Sequence, residues 1–286
     1  MLKKRLVFGT LMAALFAGIV VGDGWLDGSL TSSTADDKPI QATALLIVLM
    51  LVIICSQFEL AKLAAAKGLK SFVAISIVGS ALLATASYVQ QMVDISAYIY
   101  SSFMLAFVLM AVMLFQYLHY GTSAVLANCG VTCFCTIYLG ILCGFCTAVR
   151  IEFGPLALLM FIFVVKSADI GAYTFGTLFG KHKFSPRISP GKTWEGMAGG
   201  VVVAVVVSVL FARSFDIMMW WSAVVFGVLF AFIGQLGDLA ESMVKRDAEK
   251  KDSSNNVPGF GGILDVIDSV LMSAPFAYLF FMSVAA

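Results

Sequence analysis

Gly154-Pro-Leu-Ala-Leu-Leu-Met-Phe-Ile-Phe-Val-Val-Lys166-Ser-Ala-Asp169-Ile-Gly-Ala-Tyr173-Thr-Phe-Gly176-Thr-Leu178 carries two charges inside an otherwise apolar run. A bilayer core about 30 Å thick is crossed by about 20 mostly apolar residues in a helix, so this stretch reads as a membrane span. Eight further stretches qualify, near 5–22, 40–57, 72–89, 97–117, 123–147, 196–213, 217–240 and 262–285. They lack the two-residue alternation of barrel strands, and backbone in lipid must satisfy its own hydrogen bonds. The expected fold is therefore all-α, a polytopic transmembrane helical bundle of about nine spans. Composition agrees: the 286 residues are 60% hydrophobic and 12% charged, against roughly 25% charged in soluble domains.

Cations divide unevenly along these spans. With a cytoplasmic N-terminus, one face collects Lys3, Lys4, Arg5, Lys62, Lys67, Lys70, Lys181, Lys183, Arg187, Lys192, Lys245, Arg246, Lys250 and Lys251. The other face holds only Lys38, Arg150 and Arg213, with Lys166 inside a span. This split follows the positive-inside rule and puts the polar loops 179–196 and 241–261 together in the cytoplasm. Residues 1–22 have a basic start and an apolar run, which raises a cleaved leader as an alternative. The run is long for one and no small-x-small site follows, so it is read as the first span. The loop Asp23 to Pro39, rich in Gly, Ser, Thr and Asp, is expected to be turn-like and mobile. Glu59 to Lys70 reads as a basic connector that sets orientation. Cys129, Cys133, Cys135, Cys143 and Cys146 share one apolar span and Cys55 lies in another; without His or carboxylate nearby they read as packing residues, not a metal or redox site.

The chain divides near residue 150 into 1–150, helices with few internal charges, and 151–286, where ionisable groups enter the membrane. Lys166 and Asp169, Asp238 and Glu241, and Asp265 and Asp268 are each three apart, so each pair shares a helix face. Intramembrane carboxylates are costly and usually functional. Three acid-bearing segments are expected to converge on one cavity. Lys166 with Asp169 also admits a purely structural reading, an ion pair that holds the bundle.

Two loops carry phosphate chemistry. Gly180-Lys-His-Lys-Phe-Ser-Pro-Arg-Ile-Ser-Pro-Gly-Lys-Thr-Trp-Glu-Gly196 is not a Walker loop, because Pro186 stands where that pattern needs Gly. It still offers four cations, the hydroxyls of Ser185, Ser189 and Thr193, and a turn into a helix N-terminus, whose amides attract anions. The second segment runs Gly234-Gln-Leu-Gly-Asp238-Leu-Ala-Glu241-Ser242-Met-Val-Lys245-Arg246, then Lys251-Asp252, then Pro258-Gly-Phe260-Gly-Gly262-Ile-Leu-Asp265-Val266-Ile-Asp268-Ser269. On a helix Glu241 faces Lys245, and Asp238 faces Ser242.

These residues resemble the signature of the phosphatidate cytidylyltransferase family: Ser-x-x-Lys-Arg, Lys-Asp, Pro-Gly-His-Gly-Gly, Asp-Arg-x-Asp-Ser. Ser242, Lys245, Arg246, Lys251, Asp252, Pro258, Gly259, Gly261, Gly262, Asp265, Asp268 and Ser269 match it. Asp169, Tyr173, Ser189-Pro-Gly-Lys192-Thr193-Trp-Glu-Gly196 and Gly237-Asp238 look like family positions in family order. Phe260 replaces the usual His and Val266 the usual Arg. The likeness covers residues 150–286; before that it is one of hydropathy alone.

The resemblance implies transfer of CMP from CTP to phosphatidate, giving CDP-diacylglycerol and pyrophosphate at a bacterial inner membrane, with the site on its cytoplasmic face. Two polyanions must then be held together, which calls for a divalent metal and cationic side chains. Mg²⁺ is the expected cofactor, a second ion being left open, on Asp238, Asp265 and Asp268. Lys245 and Arg246 join these acids as catalytic candidates and, with Lys192 and Thr193, contact the triphosphate. Asp169, Tyr173, Ser189, Ser242, Lys251 and Asp252 shape the substrate site. Expected partners are CTP, phosphatidate and membrane lipid, with no nucleic acid; the resemblance also suggests a homodimer. The competing readings are an ion-coupled transporter, another CTP-dependent lipid nucleotidyltransferase or kinase, and an inactive homologue.

Overall fold

The computed structural model describes residues 2–30, 37–254, 256–257 and 261–285, without the side chains of 2–8 and 285. The helices run α1 (Leu2–Leu26), α2 (Thr43–Ala66), α3 (Val73–Ala84), α4 (Ala86–Gln90), α5 (Ala97–Tyr120), α6 (Val125–Phe179), α7 (Trp194–Phe215), α8 (Trp220–Asp247) and α9 (Leu264–Ala285). Among the described residues there is no strand, only the isolated bridges Lys183–Thr193 and Val257–Gly261. Seven of the helices are long and apolar enough to cross a membrane. The protein is an all-α integral membrane protein.

The nine expected segments are distributed differently among these helices. The stretch near 72–89 breaks at Thr85 into α3 and α4. The stretches near 123–147 and 154–178 are joined in α6, whose 55 residues would extend about 80 Å if straight. It is not straight, because Gly154 has φ 85° and ψ 173°, a conformation that only glycine adopts readily. Pro155 follows, where a first helical position needs no N–H. The limbs fold back on each other. Tyr138 of the first limb lines a cleft with Leu264 and Met272, and Lys166 of the second lies 3.9 Å from Asp268. Phe153, beside the turn, instead packs 5.6 Å from Phe281, near the far end of α9. The bend therefore places Asp169 at the same level of the bundle as the start of α9.

Small residues let the second limb of α6, α7, α8 and α9 pack closely. A Cβ at Gly171 would sit 3.0 Å from Gly199 O, and one at Gly200 2.8 Å from Ala168 O, so α6 and α7 meet nearly backbone to backbone. At Gly237 a Cβ would come within 2.9 Å of Met272 Cβ and 3.1 Å of Ser269 Cα. That approach carries Asp238 of α8 towards Asp268 of α9. A continuous core runs from Val20 through Leu139, Phe161 and Phe226 to Phe281. α6 passes through residue 150, and packing spans the parts before and after it.

At the end of the bundle opposite the acids, Arg150 is fully buried and its Nη2 lies 3.0 Å from Asp23 and 2.8 Å from Asp27. Asp23 Oδ1 accepts from Ala44 N at 2.8 Å and Asp27 Oδ2 from Ala42 N at 3.1 Å. These two acids lie at the end of α1 and satisfy orphan N–H groups at the start of α2. The stretch expected to be a turn-like loop begins inside α1, and its Asp23 and Asp27 are buried where they neutralise Arg150. α1 belongs to this packed structure, with Val20 wholly buried.

Candidate active site

Asp238, Glu241 and Asp268 each bring a carboxylate oxygen within 4.8 Å of the others, a grouping able to hold a metal ion. α8 supplies the first two from one face, three residues apart, and α9 supplies the third across the Gly237 contact. The second limb of α6 closes the cluster. Asp169 Oδ1 accepts from Gln235 Nε2 at 3.0 Å, and its Oδ2 accepts from Ser269 Oγ at 2.9 Å and Lys166 Nζ at 3.3 Å. Lys166 Nζ also donates to Ser269 Oγ at 2.6 Å. The ion pair expected between Lys166 and Asp169 is present, and it faces the other acids instead of standing apart.

Lysines enter from two directions. Lys192, brought in by the 180–193 loop, lies 2.7 Å from Asp238 Oδ2 and donates to Gln235 O at 3.2 Å. Lys245 bridges Glu241 and Asp265 Oδ1, the latter at 2.5 Å. Five carboxylates (Asp169, Asp238, Glu241, Asp265, Asp268) thus surround three ammonium groups, leaving a formal excess of two negative charges. Glu241 and Asp268 are buried, and neither oxygen of Glu241 has a hydrogen-bond partner beyond its ion pair with Lys245. Asp169, Asp238 and Lys166 are about one-third exposed, so the cluster opens on their side.

The remaining candidates occupy distinct places. Asp265, expected among the metal ligands, is outside the trio. Besides Lys245, it accepts from Ser253 N at 2.9 Å, Ser253 Oγ at 2.8 Å and Gly262 N at 2.6 Å, so both its oxygens are committed. Ser242 Oγ donates to Asp238 Oδ1 at 3.2 Å. Thr193 is the N-cap of α7, its Oγ1 accepting from Gly196 N at 3.1 Å. Ser189 shapes the turn before it, its carbonyl accepting from Lys192 N at 3.1 Å. Arg246 is exposed and donates to Ile188 O at 3.2 Å and Lys250 O at 3.1 Å, tying the two polar loops together. Tyr173 lies one helical turn beyond Asp169 and is 54% exposed. Lys251 and Asp252 are exposed on the second loop. Phe260 lies outside the described residues; Val266 is half-buried in the first turn of α9, its N–H donating to Ile263 O at 3.0 Å, and its side chain carries no polar group where the family has Arg.

Sequence reasoning missed Glu59. Read as part of an orientation signal, it is instead 1% exposed and binds the start of α9 from α2. A lone acid in the apolar run from 43 to 61 was the available signal.

A family model described as the cytidylyltransferase family matches residues 38–284. The chain belongs to the cytidylyltransferase family. The matched region includes α2 to α6 as well as the acid cluster, so the family's reach extends to the helices before residue 150. Three curated relatives are named phosphatidate cytidylyltransferase. That of Haemophilus influenzae is 42% identical over 133 residues, 44% of this chain and 46% of the relative. That of Bacillus subtilis is 47% identical over 116 residues, 40% of this chain and 43% of the relative. That of Mycobacterium tuberculosis (strain H37Rv) is 37% identical over 155 residues, 54% and 47% respectively. The chain spans about half the length of the curated relatives it matches.

Proposed function

We propose that this cytidylyltransferase-family protein transfers CMP from CTP to phosphatidate, giving CDP-diacylglycerol and pyrophosphate. The observation that carries the reading is the meeting of α6, α8 and α9 in one acid and lysine cluster at a polar end of a membrane bundle. Relatives named for this activity support the choice of substrates.

Asp238, Glu241 and Asp268 fit a hard divalent cation such as Mg²⁺, which takes carboxylate oxygen and shares phosphate oxygens. The formal excess of two carboxylates over lysines at the cluster matches one such ion. When bound, Mg²⁺ would reduce repulsion between the phosphates and aid departure of pyrophosphate. The chain's own groups do the rest. Lys192 and Arg246, on or beside the two loops, would draw the triphosphate to the exposed side, while Lys166 and Asp169 flank it from α6. A phosphate oxygen of phosphatidate attacks the α-phosphorus of CTP, the bond from that phosphorus to the bridging oxygen breaks, and pyrophosphate leaves. The nucleophile is already anionic, so no general base is needed, and catalysis rests on positioning and charge.

The lipid has its own route. A cleft of about 240 Å³ beside Glu241 is lined almost wholly by apolar atoms, from Leu60, Phe134, Tyr138, Leu264 and Met272 among others. Acyl chains in this cleft would leave the phosphate near the acids. The reading sets the acid end in the cytoplasm of a bacterium, at the inner membrane, because the cation-rich loops share that end. The test is purified protein in detergent with α-labelled CTP, phosphatidate and Mg²⁺. Labelled CDP-lipid and pyrophosphate, formed without any gradient, are expected; CDP as product would show a lipid kinase instead, and no turnover would refute the reading.

A further inference from the structure

Glu59 is placed to act on the acid cluster without touching it. Its Oε2 accepts from Leu264 N at 2.9 Å and lies 3.0 Å from Ser253 Oγ, whose one proton is shared between Glu59 and Asp265. Its Oε1 accepts from Ser254 Oγ at 2.6 Å and Ile263 N at 3.1 Å, with Asn256 Nδ2 at 3.4 Å. Ile263 and Leu264 sit at the start of α9, where N–H groups have no partner within the helix. A side chain on α2, some two hundred residues earlier in sequence, therefore caps α9 and holds the loop before it.

The geometry also shows what this cap controls. Ser253 Oγ lies within hydrogen-bonding distance of both Glu59 and Asp265, so the two carboxylates grip one loop from opposite sides. Asp265 in turn holds Lys245, and Lys245 holds Glu241. Asp268 stands one turn further along α9, so the start and rotation of that helix decide where Asp268 points. Gly262 makes the approach feasible, because a Cβ there would overlap Ser253 Oγ and the Glu59 carboxylate.

We infer that Glu59 is a positioning residue for nucleotidyl transfer: from α2 it sets the register of α9 and so aims Asp268, and through Asp265 and Lys245 aims Glu241. This rests on the function proposed above. Among the described residues Glu59 forms no ion pair. Its five donors are three side chains and two backbone N–H groups, all from 253–264, which is the pattern of an anchor for that segment.

The experiment compares wild type, Glu59→Gln, Glu59→Asp and Ser254→Ala as monodisperse protein in detergent, measuring kcat, KM for CTP and the Mg²⁺-induced rise in Tm without substrate. Glu59→Gln keeps the shape but turns one acceptor into a donor against Leu264 N–H. Its kcat should fall about 10- to 100-fold, as for partners that orient metal ligands, with KM for CTP within about twofold and a reduced Mg²⁺ shift. Glu59→Asp retains both oxygens and should recover part of kcat. If Glu59→Gln yields no monodisperse protein, Ser254→Ala decides, with a loss of at least about threefold in kcat expected. Wild-type kcat and Mg²⁺ shift in the deciding variant would overturn the inference, as would a loss confined to KM. An inactive wild type would instead overturn the function on which the inference rests.

Discussion

At the residue scale, the acids near the site differ in what they can do. Asp238 is one-third exposed and shares its oxygens with Lys192 and Ser242, so it can exchange a lysine for a cation when substrate arrives. Asp238→Asn should lower kcat by at least about 100-fold, the scale of losing a preorganised charge, while the Tm of the metal-free protein stays within a few degrees. Steady-state assays and a thermal melt check both halves of that expectation. Lys245 is different, because it lies between two buried carboxylates. Lys245→Ala leaves Glu241 and Asp265 facing each other without a cation and should destabilise the fold by about 3–5 kcal/mol. Reduced stability in detergent, beyond any change in CTP affinity, is the measurement. The sequence placed both residues on the right faces by spacing alone. It did not separate the acid that meets other acids, Glu241, from the acid that holds a loop, Asp265, because each follows from neighbours on another helix.

At the element scale, two devices shape the bundle around the site. The bend in α6 depends on Gly154, whose φ of 85° an L side chain adopts only under strain, although a Cβ added there would meet nothing within 4 Å. Gly154→Ala should therefore cost about 1–3 kcal/mol by backbone strain alone, with kcat per folded molecule nearly kept; a melt and an activity assay on the same preparation test this. At the far end, Arg150 ties the α6 bend to the α1–α2 junction. Burial raises the pKa of Asp27, but hydrogen bonds from Ser29 and the amides of Ala42 and Ser29, with the charge of Arg150, outweigh it and hold the carboxyl below its usual range. A group depressed in the folded state contributes stability above its unfolded pKa, about 3.9. That contribution should disappear as pH falls below about 4 through the lower folded value. Asp27→Asn should flatten the acid limb of the stability profile, measured by thermal melts across pH. The sequence showed Asp23, Asp27 and Arg150 as loop and boundary charges; their mutual burial needed the end of the first limb of α6 to pack against the end of α1, where Gly24 meets Pro155.

At the scale of the whole molecule, charge balance is the property that follows from assembly. Five carboxylates and three lysines from three helices and one loop meet in a largely buried volume. A divalent cation should therefore raise the Tm of the substrate-free protein, and a chelator should reverse the rise and stop turnover. Asp238→Asn should show a smaller rise than wild type, and Mg²⁺ titrations by thermal shift check it. What the sequence determined by itself was the solvent and the chemistry. Apolar runs of span length fix lipid as the surroundings, because unsatisfied backbone cannot lie in hydrocarbon, and paired acids three apart must share a face because the helix repeats every 3.6 residues. Tertiary structure alone decided which acids meet, that Glu59 of α2 anchors α9, and that Arg150 is buried with two aspartates. Those outcomes depend on the Gly154 bend and the Gly237 contact, where backbone geometry and the absence of a side chain set distances between helices far apart in sequence.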